Sequence, residues 1–305
     1  MATITDLQDS PIKCGTVLVN DLDASITLYR DVLQQDVVDV SEVSPAVAES
    51  WGAPSMVGAR VCLLQPKSKA DSYIRLIQSP GVVTPVPHAT SYGWCAFEIS
   101  VEDVFSLADQ LQGSGFTVVG PPQRLDGIDN VIPMQVVGPD QEVLFLNQVL
   151  SSDQNTDLPL ANCVVDRIFM AILASHDRQK SVSDYVQQLK YQESGTHEIR
   201  YSLINRAFDF DPETKHSLTL VQDGRAPIIE VDQYPKQAVS RPVPHGGLSH
   251  GCAMLTLSVK QLNVSSLSNK LTEQAICSNE FLYAGSRSIV IKGRSGELLE
   301  LIQAP

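Results

Sequence analysis

Four stretches of the chain repeat one pattern of apolar and polar positions. Each begins with an apolar run of period-two alternation, passes an acidic or polar turn, and continues with apolar residues three and four apart. The stretches are Cys14 to Leu33, Trp94 to Leu111, Met170 to Leu189 and Met254 to Leu271. The pattern predicts a strand followed by an amphipathic helix in each. In the first, Val17 and Val19 alternate with Leu18 and Asn20. Ile26, Tyr29, Val32 and Leu33 then fall at helical spacing, with Asp21 or Asp23 as the N-cap. Further strands close each unit, and their last strands are alike: residues 72–80, 142–148, 227–235 and 297–305. The turns Gly138-Pro139-Asp140 and Arg294-Ser295-Gly296 introduce two of them. Each unit therefore reads βαβββ, and the chain is an α+β protein of four such modules paired two and two. Residues 151–161 are polar and pattern-free and form the expected linker. This places modules 1 and 2 in a domain of residues 1–150 and modules 3 and 4 in a domain of residues 162–305.

Composition narrows the function. The length of 305 residues suits two domains, and 43% hydrophobic with 19% charged residues is globular. The 22 basic and 35 acidic residues leave a formal net charge of −13. That charge argues against a nucleic-acid backbone as partner. No apolar run reaches the length of a membrane span, and Met1 to Pro11 lacks the basic and apolar regions of a secretory signal. The six cysteines are scattered without a CxxC pair, which points to reduced thiols and a cytoplasmic location. The sequence contains no dinucleotide fingerprint, phosphate loop, HExxH or GxSxG.

The segments DLDASITLYRDVL, GWCAFEISVEDVFSLADQLQGSGFTVVGPP, GPDQEVLFLNQ and SGELLELIQ resemble the vicinal oxygen chelate superfamily of glyoxalase I, bleomycin and fosfomycin resistance proteins and extradiol dioxygenases. The resemblance implies two glyoxalase-like domains, each an open cup made of two modules. It also implies metal ligands at four equivalent places: a residue opening each first strand, usually His, and a Glu in each last strand. In the first two modules these places hold Cys14, Trp94, Arg75 and Phe145, so the expected N-terminal cup has lost its metal. In the last two they hold Met170, Met254, Glu230 and Glu300. Both histidines are missing, which counts against a standard glyoxalase and against extradiol cleavage.

Under this reading Glu230 and Glu300 face each other across the C-terminal cup. They then serve as acid and base, as residual ligands of a divalent metal, or as solvated carboxylates with no role. His250 lies on the strand leading to Met254 and is a candidate acid–base or metal ligand, or a loop histidine. Arg75 and Trp94 suggest a binding surface for an anionic and an aromatic group, or else core. Met170 and Met254 line the other cup, with Arg241 reaching over it. The expected function is a glyoxalase-like lyase or isomerase acting on an oxygenated carbonyl metabolite. The alternative is a non-catalytic sequestering protein of the bleomycin-resistance type, and an extradiol-type dioxygenase ranks last. The cofactor is a divalent metal ion or none. The partners are a small molecule and, as an open alternative, a second copy in a homodimer, with neither nucleic acid nor membrane.

Overall fold

The computed structural model describes residues 10–124, 129–152, 156–278 and 280–303. Module 1 comprises β1 (Ile12–Val19), α1 (Leu22–Asp31), β2 (Asp36–Glu42), α2 (Pro45–Ser50), β3 (Arg60–Gln65) and β4 (Tyr73–Gln78). Module 2 comprises β5 (Gly93–Val101), α3 (Val104–Gln110), β6 (Thr117–Gly120), β7 (Val131–Val137) and β8 (Val143–Val149). Module 3 runs through β9 (Val165–Ser175), α4 (Arg178–Leu189), β10 (Gln192–Arg200), α5 (Ser202–Ala207), β11 (Lys215–Asp223) and β12 (Ala226–Gln233). Module 4 contains β13 (Gly251–Val259), β14 (Ile276–Cys277), β15 (Arg287–Lys292) and β16 (Leu298–Gln303).

The helices start where the acidic turns place them. Asp21 caps α1 by accepting from the Ala24 amide, Asp103 caps α3, and Asp177 caps α4. The fourth expected helix is absent. Only a 3-10 turn at Val264–Ser266 follows β13. The segment carries Asn263, Ser265, Ser266, Ser268 and Asn269, whose side chains compete for backbone hydrogen bonds. The Ser266 hydroxyl indeed donates to the Asn263 carbonyl.

The modules do not pair in chain order. One eight-stranded sheet runs β14-β15-β16-β13-β1-β4-β3-β2 and joins module 4 to module 1. The other runs β10-β11-β12-β9-β5-β8-β7-β6 and joins module 3 to module 2. In each, two first strands meet antiparallel at the centre, β1 against β13 and β5 against β9, and each flanks its own module's last strand in parallel. The expected pairing of modules 1 with 2 and 3 with 4 is therefore corrected. Charge matching gives a reason. Pairing modules 1 and 4 sets Arg75 against Glu300, whereas the expected pairing would bury Arg75 beside Phe145 and Glu230 beside Glu300. Residues 153–155 of the expected linker lie outside the described residues. Farther along, the Asp157 amide donates to the Arg225 carbonyl, and Leu158 is buried against Phe169 and Met170.

The two sheets share one core. Val17, Leu76, Leu255 and Leu299 pack in it with Phe97, Ile99, Leu173 and Val231. At Gly15 the sheets approach so closely that a Cβ would lie 2.8 Å from Ile168 Cδ1 and 2.9 Å from the Phe97 ring. Two buried tyrosine–carboxyl bonds cross between the sheets. The Tyr29 hydroxyl donates to Glu142 Oε1 at 3.1 Å, and the Tyr185 hydroxyl to Glu297 Oε1 at 2.7 Å. Burial pushes Glu142 up to about 8 and Glu297 up to about 7. Gly251, which opens β13, has a φ of +70°, and a Cβ there would lie 2.1 Å from His88 Cε1. Gly251→Ala should therefore cost about 2–3 kcal/mol, from backbone strain and the displaced imidazole. Urea denaturation checks this, and a loss under about 0.5 kcal/mol would show that the contact is loose.

Candidate functional site

Each sheet has a face turned away from the shared core, and the two faces differ in chemistry. On the sheet of modules 1 and 4, β1 brings Thr16 beside Arg75, and β13 brings Thr256 beside Glu300. Arg75 Nη2 donates to Glu300 Oε2 at 3.0 Å. Arg75 Nε donates to Thr16 Oγ1 at 3.0 Å and Nη1 to the Tyr283 hydroxyl at 2.9 Å. Glu300 accepts further bonds from Trp51 Nε1 at 2.9 Å, Tyr283 at 2.8 Å and Thr256 at 2.8 Å. The Trp51 ring, just past α2, lies 4.6 Å from the guanidinium. Arg75 is 3% exposed and Glu300 0%. This cup is closed by an internal ion pair whose bonding capacity is filled from within the protein.

On the sheet of modules 2 and 3 the same face carries Glu98 on β5, Phe145 and Asn147 on β8, and Glu230 and Asp232 on β12. Strand alternation puts Glu230 and Asp232 on one face, while Ile229 and Val231 enter the shared core. Asn147 Nδ2 donates to Glu98 Oε2 at 2.5 Å, and the Tyr201 hydroxyl donates to Glu230 Oε1 at 3.2 Å. Neither oxygen of buried Asp232 accepts a bond from an N–H or hydroxyl donor. Its neighbour is the Glu230 carboxyl, so the pair is bonded when Asp232 holds the proton and donates it. Burial and the Glu230 charge push Asp232 and Glu98 well above the ordinary carboxylate range. Glu230, which keeps part of its surface open, is pushed up to about 7 by burial, with Tyr201 and Asp232 pulling the other way. Three carboxyls thus share an interior in which they cannot all ionise.

The residues singled out in the sequence scatter. Glu230 and Glu300 lie in different sheets and cannot act as a facing pair. Glu300, Arg75 and Met254 do meet, in the closed cup, where Met254 Sδ is 3.9 Å from Arg75 Nη2. Arg75 is therefore sealed from ligand. Met170 stands opposite Glu98 in the β5–β9 register and packs on Val149, Leu158 and Phe169. Trp94 turns into the shared core and donates to the Leu298 carbonyl at 2.7 Å, because a bulge between Trp94 and Ala96 shifts the alternation. Arg241 bonds Ser91 Oγ and the Trp94 and Cys252 carbonyls, which ties module 2 to module 4 instead of covering a cup. His250 is buried at the junction of the sheets, 3.3 Å from Asp140, and burial pushes its pKa down. It reaches neither cup. Glu98, Asp232, Asn147 and Tyr201 were not anticipated. Glu98 in AFEIS and Asp232 in IEVDQ carried the same signal as Glu230, an acid at an alternate position of an apolar strand.

The family's metal does not fit the residues present. One ligand place in each cup holds a residue unable to bind a metal ion, Arg75 in the cup of modules 1 and 4 and Phe145 in the cup of modules 2 and 3, and methionines stand at two of the strand-opening places, Met254 and Met170. Among the described residues no three His, Cys, Asp or Glu side chains converge to hold an ion. No helix among them is long and apolar enough to cross a membrane.

Comparison with known proteins agrees with this architecture. The sequence profile of the Glyoxalase/Bleomycin resistance protein/Dioxygenase superfamily matches residues 12–127. Curated protein sequences give no match. Among solved structures, a point mutant of glyoxalase I from Zea mays is similar at a TM-score of 0.65 and 14% identity, covering 96% of this chain and 92% of that one. Glyoxalase I from Zea mays without that substitution gives 0.60 and 14%, with coverage of 96% and 92%. A suggested dioxygenase from Bacillus subtilis gives 0.60 and 12%, with coverage of 97% and 86%. Residues 12–127 match the model of the glyoxalase/bleomycin resistance protein/dioxygenase superfamily, and all four modules together have the fold of the glyoxalase I structures.

Proposed function

We propose that the chain acts on a small oxygenated carbonyl compound, as a lyase or isomerase, in the cup of modules 2 and 3. The observation that carries this is Glu230: partly open, poised at about 7, and bonded to Tyr201 beside the buried acids Glu98 and Asp232. A base of that pKa accepts a proton near neutral pH and returns it as an acid. Glu230 takes a proton from the carbon next to the carbonyl. The electron pair of that C–H bond moves to form the enolate, and protonation from Glu230 regenerates a carbonyl compound. Asp232, kept protonated, sustains the Glu230 carboxylate through its hydrogen bond. The Arg75–Glu300 cup is structural in this reading. Among the described residues the thiols of Cys14, Cys62, Cys95, Cys163 and Cys252 are free, which suits the cytoplasm, where we place the protein.

Exchange of the C3 protons of 2-oxooctanoate in D2O, followed by NMR, tests the proposal. Glu230→Gln should slow exchange by about 100-fold or more with the fold intact. Exchange unchanged in that variant would contradict it. Binding without exchange in the natural protein would favour the second reading, sequestration, which the apolar cleft beside this cup supports.

A further inference from the structure

A cleft of about 380 Å³ opens between the 3-10 turn His88–Thr90, β6 and β7, and α5. Its volume lies in the range of small-ligand pockets and is too small for a folded segment. Val119, Val137, Val143, Leu203 and Ala207 make its walls apolar. Arg206 is the charged residue of its lining. The guanidinium makes only long hydrogen bonds, to Gln135 Oε1 and Ser202 Oγ at 3.5 Å each. Among the described residues no carboxylate pairs with it, although the chain has 35 acidic residues to 22 basic. His88, the other basic residue of the lining, is held neutral by burial. An apolar hollow with one uncompensated cation at its edge matches an amphipathic anion.

The cleft also adjoins the acidic cluster. Val143 and Phe145 share one face of β8, and both belong to the cluster of apolar residues lining this cup. The Phe145 ring meets the Tyr201 ring edge-on, with centroids 6.3 Å apart, and Tyr201 bonds Glu230. Phe145 and Tyr201 thus form the partition between cleft and carboxyls.

We propose that this cleft binds a small carboxylate with an apolar body, its anionic group on Arg206 and its chain against Val137, Val143 and Leu203. The assignment deepens the reading of the cup by naming a ligand class, and it rests on that reading for the ligand's chemical fate but not for its binding. Calorimetric titration with octanoate, and with octanamide as its neutral counterpart, tests it. Octanoate should bind more tightly than octanamide. Arg206→Gln should weaken octanoate about tenfold and leave octanamide within about twofold, consistent with loss of one charge-assisted contact. Ala207→Phe, which fills the cleft, should abolish both, and circular dichroism verifies its fold. Absence of octanoate binding, no preference over octanamide, or affinity indifferent to both variants would overturn the proposal. Exchange on 2-oxooctanoate separates the two claims. Binding without exchange leaves the cleft standing and removes the proton-transfer reading. Exchange that persists while octanoate affinity is indifferent to Arg206→Gln and Ala207→Phe removes the cleft and leaves proton transfer.

Discussion

Arg75→Met is expected to destabilise the protein by about 3–5 kcal/mol, because it leaves Glu300 charged and buried without a counter-ion. The pair sits at 3% and 0% exposure, so water cannot replace the lost partner. Trp51, Tyr283 and Thr256 would still donate to the carboxylate, but none brings a positive charge. Glu300→Leu should cost a comparable amount by stranding the guanidinium. Combining Arg75→Met with Glu300→Leu should recover much of the loss, since apolar side chains of similar volume replace buried ion pairs at little cost. Urea denaturation of the two single variants and the double variant measures the coupling. Additive losses, or single losses below about 1 kcal/mol, would show that the pair does not hold modules 1 and 4 together.

Stability should fall as pH rises from 6.5 to 8.5. The carboxyls of Glu142, at about 8, and of Glu297 and Glu230, at about 7, all sit above the ordinary 4.5. In that interval the folded protein holds protons that the unfolded chain has released. Their contribution is complete below the unfolded value and is lost as pH passes the folded values. The slope is about 1.4 kcal/mol per pH unit for each proton held. The three groups together give a loss on the order of 3 kcal/mol across the interval. His88, His216 and His250, pushed below 6.5 by burial, act in the opposite sense, with most of their effect on the acid side of this window and a smaller part, which does not reverse the sign, at its lower end. Urea denaturation at the two pH values checks the sign. Glu142→Gln should flatten the curve most, because its pKa is the highest of the three. Greater stability at pH 8.5 would contradict the account and show these carboxyls to be ionised or neutralised by a bound cation.

The modules were legible in the sequence because alternation and capping are local. Asp21, Asp103 and Asp177 start helices where the turns put them. Their pairing was not legible from chain order, because every module offers the same free edge on its first strand. The residues at the four equivalent places did contain the answer: Arg75 needs an acid, and Glu300 supplies one without gathering like charges. Glu230 was readable as a candidate since it interrupts an apolar strand. Glu98 and Asp232 interrupt theirs in the same way but lie outside the family's ligand places. Trp94 was misplaced by a bulge, which no alternation count can reveal. Phe145 was readable as a lost ligand place, but its role against Tyr201 depends on α5, which joins from a different module.

The central claim is that the working cup is the one holding Glu230, at a pKa near neutrality. Carbon-13 NMR of the protein labelled at glutamate side-chain carboxyls measures it directly, with Glu230→Gln assigning the resonance. The account predicts that the Glu230 carboxyl titrates at about 7. A midpoint near 4.5 would make Glu230 an ordinary solvated carboxylate and would contradict the claim.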